Sequence, residues 1–91
     1  MKYTIEDAYA KGDEYQIIPR RTMSAMLGYI KEGRSIGDFL TAVFSNKLNE
    51  SFAYADLENR IALHEITLWI FNHAPRMCWG SAERVKAWEG L

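Results

Sequence analysis

The chain has 91 residues, is 48% hydrophobic and 13% aromatic, and carries a formal charge of -1 with one cysteine. That length bounds it to a single domain, residues 1–91, and the apolar share argues against disorder. The near-zero balance gives no global field for duplex DNA or an anionic bilayer, and lone Cys78 closes no intrachain disulfide.

No charged leader with an apolar core opens the chain, so a reducing cytoplasm is expected. The longest apolar stretch, around residues 66–71 and interrupted by Thr67, falls far short of the ~20 residues that span a membrane.

In chain order, the spacing predicts an all-α, compact bundle of about five helices. Thr4 can cap a short first helix with Glu6 and Asp7 in its first turn and Gly12 as its stop. Residues 13–18 form a connector, helical or briefly extended, with Tyr15, Ile17 and Ile18 as anchors.

Pro19 suits the first position of a second helix, in which Met23, Met26, Leu27 and Ile30 make one buried stripe and Gly33 ends the run. Ser35 is read as the N-cap of a third, with Asp38 completing a capping-box-like pair. Its apolar face is Ile36, Phe39, Leu40, Val43, Phe44 and Leu48, and a bend is expected near Asn46 or Asn49.

Asp56 caps a fourth helix whose seam runs Leu57, Ile61, His64, Leu68, Phe71, widened by Ala62, Ile66, Trp69 and Ile70. A helix apolar nearly all round is covered on two sides, and in a chain this small a second subunit supplies one of them. A homo-oligomer is therefore expected. Pro75 stops the helix, and Ser81 caps a last one with Val85 and Trp88 facing inward.

Catalytic signatures are weak. His64-Glu65 opens like a zinc-protease motif, but Leu68 stands where the second histidine belongs. His64 and His73 do not share a helix face, and no base is spaced to activate Cys78. Neither metal nor cofactor is expected, and the chain reads as a binder rather than an enzyme.

Charge is uneven. Residues 1–14 hold two lysines against four carboxylates, whereas residues 19–34 hold Arg20, Arg21, Lys31 and Arg34 against Glu32 alone. Arg20 and Arg21 open the second helix, where free N–H groups already favour an anion, and Arg34-Ser35 precedes the third. Brought together across a dimer, these groups would grip phosphodiester oxygens bidentately. The alternative is that the arginines are solvated or paired with the acidic first segment.

Tyr3, Tyr9 and Tyr15 are candidates for base stacking, worth about 1–3 kcal/mol per base, or else fill the core edge with their hydroxyls in water. Arg76, Trp79 and Ser81 form a second dense patch, a cation and an aromatic leading into a helix start; the plain alternative is a connector whose Trp79 packs inward.

Across IPRRTMSAMLGYIKEGRSIGDFLTAVFSNKL (residues 18–48), ADLEN (residues 55–59) and NHAPRMCWGSAERVKAW (residues 72–88), the chain resembles the small phage anti-CBASS sponge proteins. The resemblance implies a helical homohexamer in a bacterial host's cytoplasm. It would sequester, without cleaving, cyclic dinucleotides such as cyclic GMP-AMP, and in some members cyclic trinucleotides.

It also implies a dinucleotide pocket between two protomers, with an aromatic on the base and a basic side chain on the phosphate. The basic role falls on Arg34, with Arg20, Arg21 and Ser35 as companions. Where an aromatic is expected after the Ile-Pro, this chain has Arg21, so stacking passes to its guanidinium plane or to an upstream tyrosine such as Tyr15. A trinucleotide would use Arg76, Trp79 and Ser81.

Two other classes compete: an interaction module whose over-apolar fourth helix docks on a host protein, and a helix-turn-helix DNA binder. The latter is poorly served by a third helix whose one basic residue is Lys47.

Overall fold

The computed structural model describes residues 3–91, so Lys2, counted with the first segment's charge, lies outside the described residues. Every regular element among them is helical: α1 (Ile5–Tyr9), a 3-10 turn (Asp13–Ile17), α2 (Arg20–Glu32), α3 (Asp38–Phe44), α4 (Leu48–Tyr54), α5 (Leu57–Ile61), α6 (Leu63–His73), a second 3-10 turn (Arg76–Cys78) and α7 (Ala82–Ala87). The radius of gyration is 11.8 Å, close to the ~12 Å of a compact chain this long. At 32 × 31 × 19 Å the molecule is about two helix layers thick.

The caps explain most of the boundaries. Thr4 accepts from the Asp7 N–H, and α1 ends at Tyr9, before the expected stop at Gly12. Pro19 lies just outside α2, and its carbonyl accepts from the Thr22 and Met23 N–H groups. At the other end Gly33 turns left-handed (φ 68°), and its N–H closes on the Tyr29 carbonyl. Between them Met23, Met26, Leu27 and Ile30 are all buried, as the spacing requires.

Among the described residues seven α-helices replace the expected five because two of the runs break. Asn46 adopts φ 65°, with Lys47 N–H on the Ala42 carbonyl and Asn46 N–H on that of Val43. That is a Schellman motif with asparagine in the glycine role, so the anticipated bend is a full stop between α3 and α4. Leu48 consequently leaves the apolar face and is 68% exposed.

Ser35 does not cap α3. Residues 33–37 form no regular element, and the helix starts at Asp38 with the extended Gly37 as N-cap. The reason is a backbone crossing at Gly33: an added Cβ would lie 2.6 Å from the Glu89 carbonyl group. The C-terminal tail crosses there, with Leu91 N–H on the Ile30 and Lys31 carbonyls and Trp88 Nε1 on that of Tyr29. The tail thus satisfies the carbonyls that α2 exposes at its end.

The second break is at the fully buried Ala62. Here α5 is tied to the start of α2: Asp56 accepts from the Asn59 N–H, and Thr22 donates to Asn59 Oδ1 at 2.6 Å inside the protein. α6 instead follows the core through Leu63, Ile66, Trp69 and Ile70. The expected inward seam is reversed: Leu57, Ile61, His64 and Phe71 face solvent and Leu68 is half-buried, while the residues read as widening the stripe are the buried ones.

One hydrophobic cluster joins all of this, with Trp69, Tyr15, Phe44 and Ile66 among its largest members. Its polar atoms are largely partnered, Trp69 Nε1 donating to the Ala8 carbonyl and the Tyr29 hydroxyl to that of Cys78. Ser81 accepts from Arg84 N–H at the start of α7, whose Val85, with Trp88 just beyond, leans half-buried on the cluster.

Candidate functional site

An open groove of about 600 Å³ lies where α1, the first 3-10 turn, the start of α2 and α5 meet. Local chemistry fixes its walls. The Tyr9 hydroxyl donates to the Ile18 carbonyl at 2.6 Å, and Gln16 Nε2 donates to the Tyr9 carbonyl at 3.0 Å, folding the turn back over α1. Tyr9 therefore stands at the groove with its ring held, beside Ile5, Ile17 and Pro19. Arg20 enters from the first position of α2, and Glu58 and Ile61 close the far side from α5.

Of the predicted phosphate-binding residues, Arg20 is the one that lines this groove. Arg21 points to α5 and pairs with Asp56 and with Glu58, Nη1 to Oε1 at 2.6 Å. The Asn59 N–H, followed by Arg21, holds Asp56 below the usual carboxylate range. Arg21 is thus largely neutralised, though not by the acidic first segment.

Arg34 lies at the opposite end of α2, about 20 Å away by helix rise. Its Nε meets Glu32 Oε1 at 2.6 Å, and its side chain crosses the bare Cα of Gly28. There it lines a second groove of about 310 Å³ with Thr4, Ser24 and Lys31; Ile5 borders both grooves. Ser35 is exposed in the irregular segment before α3 and offers no helix start. A single chain therefore does not unite Arg20 with Arg34.

Tyr15 cannot serve as a stacking platform. It is 2% exposed, edge-on to His73 at 5.6 Å, with Asn72 Nδ2 reaching its hydroxyl at 3.4 Å. Tyr3 also points inward, its hydroxyl donating to the His73 carbonyl. Tyr3 borders a smaller hollow of about 190 Å³ with Asp7, Lys11 and His73, and of the three candidates Tyr9 is the one that lines the Arg20 groove.

Arg76, Trp79 and Ser81 do come together, away from both grooves. The Arg76 guanidinium lies 5.9 Å from the Trp79 ring, Phe71 meets that ring edge-on at 5.8 Å, and Arg84 Nη1 donates to the Arg76 and Trp79 carbonyls. Ser81 Oγ already caps α7, and Trp79 Nε1 is buried with no acceptor among the described residues.

The acid–base inventory is spare. His64 is exposed and meets neighbouring Glu65 at 3.4 Å, while burial pushes the Cys78 thiol up to about 12. Among the described residues no group of three His, Cys, Asp or Glu gathers for a metal, and no helix is long and apolar enough to cross a membrane.

Sequence reasoning missed Glu58 and Ile61 as groove residues. The signal was present in Asp56 as a cap, which puts Glu58 in the first turn of a helix that then had to be placed against Arg21. Compared with protein-family models, curated proteins and solved structures, the chain matches none.

Proposed function

We propose that this chain is a self-associating capture protein for cyclic dinucleotides, a phage-type sponge that removes the messenger from a bacterial defence system without cleaving it. The observation that carries this reading is the groove at the start of α2, with Arg20 and the held Tyr9 ring in its wall and the exposed apolar residues Ile17 and Ile61 at its edge. Its volume falls within the range of small-molecule sites, and its composition suits a ring-shaped guest with flat bases and phosphodiester charge.

One arginine does not balance a guest with two negative charges, so the site is completed by a second copy. The outward residues Leu57, Ile61 and Phe71, 59–67% exposed, supply apolar surface for that association. Lys31 and Arg34 provide the basic groups nearest the second groove. A hexamer in the host cytoplasm, and a trinucleotide at the Arg76–Trp79 patch, extend the proposal. The protein then acts by affinity alone, as a non-enzyme.

Titration calorimetry of the intact chain with cyclic GMP-AMP tests this. Saturable heat at micromolar protein is expected, with Arg20→Glu weakening binding at least tenfold; absence of heat from the wild type overturns it.

A second reading, direct inhibition of a host protein through the α5–α6 outer face, is favoured by the pairing of Arg21 and Arg34 with nearby carboxylates. Phe71→Asp separates the two: under the capture proposal it dissociates the assembly, whereas under the second reading the wild type is already monomeric and loses a stoichiometric bacterial partner.

A further inference from the structure

We infer that the α1–α2–α5 groove selects guanine over adenine through the carboxylates of Glu6 and Glu58. This rests on the capture reading and specifies the class of messenger the groove takes.

The observation is an imbalance. Two carboxylates and one guanidinium line a groove meant for an anionic guest. Such an arrangement costs affinity for phosphate, so the carboxylates must meet something on the guest that rewards them. Glu58 offers only part of its capacity, since its Oε1 accepts from Arg21 at 2.6 Å. Glu6 makes no ion pair or side-chain hydrogen bond among the described residues, for the nearby Lys11 is taken by Asp7 at 3.5 Å. Both side chains line the groove with acceptor capacity that the described residues leave unused.

An ionised carboxylate is acceptor-only. The Watson–Crick edge of guanine carries two adjacent donors, the ring N1–H and the exocyclic amine, which match the two oxygens of a carboxylate. Adenine carries one amine beside N1, a bare acceptor, so a carboxylate there faces lone pair against lone pair. Sites built for a donor reject an analogue lacking it far more strongly than apolar pockets discriminate by size. The apolar and aromatic walls, Ile5, Ile17, Ile61 and the Tyr9 ring, accept either purine face, and the Gln16 amide, whose Nε2 donates to the Tyr9 carbonyl, is the other uncharged polar side chain there.

A glutamine in place of either glutamate keeps an oxygen acceptor and adds an amide donor, the complement of adenine's alternating edge. Exchanging the residue therefore erodes the guanine preference by strengthening adenine binding rather than merely abolishing binding.

The test is titration of cyclic di-GMP, cyclic GMP-AMP and cyclic di-AMP into the intact wild type, Glu6→Gln and Glu58→Gln, with thermal melts confirming that all three fold. The expected result is that the two guanine-bearing rings bind the wild type at least tenfold more tightly than cyclic di-AMP. In at least one variant the ratio narrows to within about threefold, with cyclic di-AMP binding strengthened. Equal wild-type affinities for all three rings, or selectivity unchanged in both variants, overturns the guanine assignment and leaves the capture proposal standing. Failure of the wild type to bind any ring overturns both.

Discussion

Replacing Gly33 by alanine probes the crossing that holds the C-terminal tail on α2 and aims Arg34 along that helix. Two costs add. A β-carbon at φ 68° meets the left-handed penalty of about 1–2 kcal/mol. It would also lie 2.6 Å from the Glu89 carbonyl group, forcing the tail away. Lifting the tail forfeits the Leu91 N–H bond to Ile30 and Lys31 and the Trp88 Nε1 bond to Tyr29, each worth about 0.5–1.5 kcal/mol net.

The sum is about 3 kcal/mol, which for a domain this size lowers the melting temperature by about 12–24 °C. Circular dichroism melts measure it, with Gly37→Ala as control: at φ -71°, and with nothing within 4 Å of an added Cβ, that change alters only a helix cap. Gly33→Asn separates the two costs, since asparagine tolerates the left-handed region but still carries the clashing Cβ. A Gly33→Ala protein melting within about 3 °C of wild type would refute the crossing.

Asn59→Leu should cost about 1–3 kcal/mol by leaving the buried Thr22 hydroxyl unpartnered, and Thr22→Val in the same chain should recover part of that in a urea titration. Burial, and then Lys11, lowers the pKa of His73, so the unfolded chain takes up the proton first. Stability therefore falls as pH drops below about 6.5, and His73→Gln should flatten urea midpoints compared between pH 7.5 and 5.5. Cys78 is fully buried with its thiol pushed up to about 12, so a disulfide reagent at pH 8 should label it only in denaturant; rapid labelling of the native chain would contradict the core placement.

Much of the fold was legible where a residue's own chemistry decides its neighbourhood. Thr4, Asp56 and Ser81 cap helices by side-chain acceptance from nearby N–H groups, and Gly33 ends α2 in the left-handed conformation that glycine enters at no steric cost. What failed depends on distant partners. Ser35 has cap chemistry, but the tail from residues 88–91 crosses just before it, and no local pattern reports a contact more than fifty residues away. The stripe of residues 57–71 was apolar on both sides, so periodicity alone could not say which side faces inward.

The same limit governs the site. Arg20 and Arg21 are indistinguishable as neighbours in sequence, yet one step around the helix sends Arg20 to the groove and Arg21 to Asp56 and Glu58. Tyr9 and Tyr15 likewise part company: the 3-10 turn carries Tyr15 into the core against His73, while the Ile18 carbonyl holds Tyr9 at the groove.

The most direct measurement is a native mass spectrum of the purified chain mixed with cyclic GMP-AMP. The capture proposal predicts a multimeric assembly carrying whole ligands at their unhydrolysed mass. A monomer that gains no ligand mass, or a ligand returned as its linear hydrolysis product, would contradict it.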